Sequence, residues 1–124
     1  MGLDKFPKRG EIFLVSLDPS IGSEIKKIRP ALVISNDINN KLSPSVTVIP
    51  VTSKVERVFP FEVLFPPAQA GLTQASKAKC NQIRTIDKRR LIKAMGNISF
   101  HAMREVEDSL RIHLGMYFEN GSNI

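Results

Sequence analysis

Up to residue 98 the chain alternates short apolar runs with breaks rich in Pro, Gly, Asn and Asp. In EIFLVSL (11–17), Glu11, Phe13, Val15 and Leu17 fall on one side of an extended chain, and Ile12, Leu14 and Ser16 on the other. That two-residue period predicts a strand, which Asp18-Pro19 ends before a loop over 18–28. ALVIS (31–35) is continuously apolar, as in a strand covered on both faces. Asp37 is placed to cap a short helical turn that stops before Pro44. VTVIPVT (46–52) predicts a third strand whose Pro50 cannot donate a ladder bond, implying an edge or a bulge there. A loop over 53–60 leads to FEVLF (61–65), closed by Pro66-Pro67. A second loop, 68–76, is rich in Ala, Gln and Ser. KCNQIRTI (79–86) and LIKAMGNI (91–98) predict the last two strands, joined by a turn at 87–90.

After residue 98 the period changes. Ser99 can cap a helix, and Met103, Val106, Leu110, Leu114 and Tyr117 recur at three- to four-residue spacing, one apolar stripe. Asn120-Gly121 is placed to end it. Five or six short strands followed by one packed helix predict a mainly β fold with a C-terminal helix: a small curled antiparallel sheet or partly open barrel. One domain is expected, with 1–8 as an arm, 9–98 as the barrel and 99–119 as the helix.

Composition narrows the function classes. The 124 residues hold 18 Lys and Arg against 12 Asp and Glu, a net +6. The excess is spread along the chain, which suits a charged face for a polyanionic partner. A single cysteine, Cys80, excludes an intrachain disulfide and points to a reducing compartment. No apolar run approaches the ~18 residues of a membrane span, and the first residues lack a signal-peptide core. A cytoplasmic protein without a membrane partner is expected.

The chemistry is defined by what the motifs leave. One Cys and two His give no zinc- or calcium-type spacing, so no metal or other cofactor is expected. No nucleophile elbow or Gly-rich phosphate loop is present. His101 and His113 fall on the terminal helix, and Cys80 reads as a small buried hydrophobe. Phosphoryl transfer remains open, because it rests on positioning and charge stabilisation. On RNA the nucleophile can be the substrate's own 2′-OH. Arg29 has the planar fork that matches two phosphate oxygens, and Pro30 holds it extended at a strand entrance. Thr52, ending VTVIPVT, can donate to the same phosphate.

Four ordered segments, RGEIFLVSLDPSIGSE (9–24), IRPALVISND (28–37), VTVIPVTS (46–53) and NQIRTIDKRRL (81–91), resemble the MazF/PemK family of toxin endoribonucleases. The resemblance spans residues 9–98. It implies a small SH3-like β-barrel of the PemK/MazF/CcdB type, commonly a homodimer. It also implies metal-independent cleavage of single-stranded RNA to 2′,3′-cyclic phosphate and 5′-OH ends, and a cognate antitoxin as partner. The family's arginine and threonine map to Arg29 and Thr52, and Ser23 maps beside the scissile phosphate. Glu24 is a candidate base by its position in the chain. Lys26, Lys27, Lys54, Arg57, Lys77 and Lys79, in or beside three loops, form an expected phosphate funnel. Gln82 and Arg84 map to a strand associated with substrate contact or structural support, and Asn81 beside them is a further candidate RNA contact. Some members carry an Arg-x-Asp pair just before the Gln; here Lys79 and Asn81 stand there. Phe13 replaces a frequent Trp. Two other readings stand beside this one: a toxin of the same fold that poisons a protein target such as gyrase, and an inactive RNA- or protein-binding module.

Overall fold

The computed structural model describes residues 5–17, 22 and 27–116. Seven strands and two α-helices follow in order: β1 (Glu11–Ser16), β2 (Ile28–Val33), α1 (Asp37–Leu42), β3 (Ser45–Thr52), β4 (Glu62–Phe65), β5 (Ser76–Lys79), β6 (Arg84–Asp87), β7 (Leu91–Asn97) and α2 (Phe100–Leu114). Single 3₁₀ turns lie at 69–71, 80–82 and 88–90. All strand pairs are antiparallel, in the order β4-β5-β3-β2-β1-β7, with β6 also paired to β3. Among the described residues β4 does not pair with β7, so the sheet stays open.

Alternation along the strands divides the core in two. Phe13, Val15, Leu17, Ala31, Val33, Val46 and Val48 pack with Ile86 and Leu91 on one face. Ile12, Leu32, Ile34, Ile49 and Val51 pack on the other with Phe65 and the α2 residues Ala102, Met103 and Val106. β2 is therefore covered on both faces, as its unbroken apolar run requires. Ser99 caps α2 by accepting the Ala102 N–H at 3.0 Å. The helix stops at Gly115, whose φ of 67° admits glycine at no steric cost. This is earlier than the expected Asn120-Gly121, which lies outside the described residues with Tyr117; Leu114 of the predicted stripe is exposed. At α1 the cap is Asn36, one residue before the expected Asp37.

Pro50 does not mark an edge. β3 is central, and Pro50 sits where its partner changes: Val48 faces Arg84 of β6, whereas Val51 faces Ala78 of β5. A three-residue step on β3 is thus matched by six residues on the other side. The excess is taken up by the 3₁₀ turn at Cys80–Gln82, next to the one residue on β3 that offers no N–H. KCNQIRTI is therefore two strands and a kink, not one strand.

The open end is sealed by backbone contact. A Cβ on Gly96 would come within 2.7 Å of the Ala70 carbonyl carbon, and one on Gly71 would collide with the Met95 carbonyl. The 69–71 turn thus lies flat on β7. Gly96→Ala should destabilise the fold by about 1–3 kcal/mol and lower the thermal midpoint by several degrees. A melt indistinguishable from wild type would show that the turn gives way.

Candidate active site

Arg29 is the second residue of β2, opposite Val15 of β1. Thr52 is the last of β3, opposite Lys77 of β5. Both line one open cleft of about 250 Å³. Thr52 is 7% exposed. Its Oγ1 accepts the Lys54 N–H at 3.2 Å, which fixes the rotamer and directs the hydroxyl's own proton elsewhere. Ser53, Thr73, Gln74 and Ser76 add polar groups, while Pro30, Leu72 and Met95 give apolar walls. The wall from 71 to 76 hangs on a backbone with positive φ at Ala68, Ala70 and Gly71. The cleft is thus lined by an arginine, a threonine and several further hydrogen-bonding residues, a lining that suits a small anion.

Of the remaining candidates, Ser23, Glu24 and Lys26 lie outside the described residues. Lys27, Lys54 and Arg57 are exposed but do not line the cleft. Lys27 holds a left-handed φ of 69°, and its carbonyl accepts the Leu17 N–H at 3.0 Å. Asn81 is exposed and Gln82 half-buried on the 3₁₀ turn, not on a strand; Arg84 is half-buried on β6. Lys77 is not offered to solvent. It is buried, donating to Glu62 Oε1 at 2.9 Å and to the Arg57 carbonyl. Lys79 donates to Glu62 Oε2 at 3.1 Å. The Glu62 side chain is 0% exposed and also accepts the Phe59 N–H at 3.0 Å. Burial pushes its carboxyl up, but the Phe59 and lysine hydrogen bonds outweigh that, leaving it below the ordinary carboxylate value.

Thr73, Gln74 and the Glu62 cluster escaped sequence reasoning. The signal for the cluster was available: Lys77 and Lys79 are two apart, hence on one face of a strand, and Glu62 interrupts an apolar run. Cys80 is buried, with burial and then the nearby Glu62 charge raising its thiol to about 12. It is a packing residue, since a thiol held in that form is a poor nucleophile. His101 is exposed on α2 and 3.6 Å from Glu105. Among the described residues no group of three or more His, Cys, Asp or Glu comes together, and no helix is long and apolar enough to cross a membrane.

Residues 8–114 match the family described as PemK-like, MazF-like toxin of type II toxin–antitoxin systems. The endoribonuclease MazF9 of Mycobacterium tuberculosis is 39% identical over 115 residues, covering 89% of this chain and 98% of the relative. Among solved structures, MazF from Deinococcus radiodurans superposes with a TM-score of 0.80 at 29% identity, covering 91% of this chain and 100% of that one. A MazE–MazF structure from the same organism matches with a TM-score of 0.72 at 27% identity, covering 91% and 99%.

Proposed function

This chain belongs to the PemK/MazF-like toxin family of type II toxin–antitoxin systems, and from that premise we propose that it is an endoribonuclease that cuts single-stranded RNA at the Arg29–Thr52 cleft. The observation that carries the reading is that these two residues, from different strands, line one cleft. The reaction is an internal transfer. The 2′-oxygen attacks the adjacent phosphorus and loses its proton, the P–O5′ bond breaks, and the 5′-oxygen takes up a proton. A 2′,3′-cyclic phosphate and a 5′-OH result.

Arg29 stabilises the charge that grows on the phosphorane oxygens, a role suited to a group that stays charged and presents a planar fork. The Thr52 hydroxyl, its oxygen already accepting from Lys54, donates to a non-bridging oxygen. Glu24, the carboxylate nearest to Arg29 along the chain, is the proposed proton acceptor. Lys27 and Lys54 supply exposed positive charge for the RNA backbone. A cognate antitoxin is the expected inhibitor, the cytoplasm the expected compartment, and an SH3-like barrel the finer description of the sheet. Exposed apolar side chains on β7 and α2, among them Ile92 and Phe100, support a homodimer.

The test incubates purified protein with a long single-stranded RNA in EDTA, maps the ends by primer extension and assays them for 5′-OH. Discrete cuts with 5′-OH ends are expected. Folded protein that leaves the RNA intact would refute the reading and favour a protein target.

A further inference from the structure

Between β3 and β4 the chain makes an excursion that carries two stacked rings and a guanidinium over one of them. The Arg57 guanidinium lies over the Phe59 ring, 4.5 Å from its centroid. Phe59 is stacked on Phe61, with centroids 5.1 Å apart and planes 6° from parallel. Arg57 is exposed and the two rings are half-buried. The backbone beneath this stack is tied down at successive points. Glu62 accepts the Phe59 N–H and donates its own N–H to the Phe59 carbonyl at 2.8 Å. Lys77 Nζ bridges Glu62 and the Arg57 carbonyl. Ser109 Oγ, on α2, donates to the Pro60 carbonyl at 3.1 Å. Lys77 also faces Thr52 in the ladder. One lysine side chain therefore spans from the strand position opposite Thr52 to the main chain of Arg57.

We propose that Arg57, backed by Phe59 and Phe61, is a stacking platform for an unpaired RNA base flanking the nucleotide cleaved at Arg29 and Thr52. The proposal rests on the endoribonuclease reading and adds to it a site for a base. Single-stranded RNA is bound by splayed bases laid on aromatic rings or guanidinium planes. A guanidinium over a ring can add one layer to the stack, and Arg57 is exposed to solvent. The neighbouring ammonium of Lys77 is committed to Glu62 and to the Arg57 carbonyl, so it adds no phosphate-binding charge here. The Glu62 ties fix the platform's distance from the cleft, which is what a subsite needs to act on a nucleotide held at Thr52.

The experiment uses an RNA with one mapped cleavage site and a set of copies in which each flanking nucleotide in turn is abasic. Wild type, Arg57→Ala and Arg57→Lys are compared, with melting curves confirming that each is folded. At one flanking position the abasic copy should raise the wild-type KM about tenfold, within the range for one stacked base, with kcat nearly unchanged. Arg57→Ala should raise KM by a similar factor on the intact RNA, and the abasic change should then add nothing, because the two remove one interaction. Arg57→Lys, which keeps the charge without the plane, should behave as Arg57→Ala. Full recovery by Arg57→Lys would make Arg57 a phosphate contact and overturn the platform. So would additive losses at every position. If folded wild type cuts no RNA at all, the nuclease reading falls and takes the platform with it, an outcome distinct from cleavage that is indifferent to Arg57.

Discussion

Replacing Arg29 with alanine is expected to cut the rate of RNA cleavage by about a thousandfold or more. Removing one donor to a developing oxyanion costs roughly 10²–10³ in kcat, and arginines that stabilise phosphoryl-transfer charge are worth roughly 10³–10⁵. The loss should fall mainly on kcat, because the phosphodiester's single charge becomes double only as the 2′-oxygen bonds to phosphorus. Arg29→Lys should recover little, since an ammonium cannot engage two phosphate oxygens at once. Thr52→Val, close in shape but without the hydroxyl, should cost less than Arg29→Ala, as a neutral donor is weaker than a charged one. Rates are read by single-turnover cleavage of a short RNA and foldedness by melting. Undiminished turnover in folded Arg29→Ala would remove the cleft from the mechanism.

The second large effect is on stability. Glu62→Gln should lower the unfolding free energy by about 3–5 kcal/mol near neutral pH, the cost of breaking a buried ion pair and leaving its partner charged. Lys77 is the stranded partner, buried and, among the described residues, ion-paired only with Glu62. Replacing Lys77 by methionine in the Glu62→Gln background should recover part of the loss, because a buried pair is costlier to break than to replace with apolar groups. The effect depends on pH with a definite sign. The folded Glu62 carboxyl lies below its ordinary value of 4.5, so its contribution is complete above that value and is lost as pH falls through the folded pKa. The gap between wild type and Glu62→Gln should therefore be full and level above about pH 5 and shrink as the solution is made more acid. Denaturant melts across that range check this, and a pH-independent gap would mean that the variant's loss does not come from the missing carboxylate charge.

Much of the fold was legible because alternation is a local signal. The two faces of EIFLVSL and the doubly covered ALVIS follow from the two-residue period alone, and Ser99 announced the helix start. The kink within KCNQIRTI was not legible. Its apolar and polar positions suit a strand, and the break arises opposite Pro50, on another strand some thirty residues away in the chain. At the cleft, Arg29-Pro30 and Thr52 stood out as polar groups at strand ends. The wall bearing Thr73 and Gln74 did not, because it depends on Ala68 and Ala70 with positive φ, a conformation alanine's sequence context does not advertise. Lys77 and Lys79 were read as part of an exposed phosphate funnel, since lysine is seldom buried without a partner. Their partner, Glu62, lay in an apparently apolar strand.

The way the cleft is walled also bears on the moment at which it comes into being during synthesis. Arg29 and Thr52 emerge from the ribosome early, but the turn that carries the facing wall is seated on Met95 and Gly96. A nascent chain that ends short of β7 has Arg29 and Thr52 but no surface to hold the opposite wall in place. Assembly of the cleft thus waits until β7 has been made, and a product truncated before it carries the motif residues without the finished cleft.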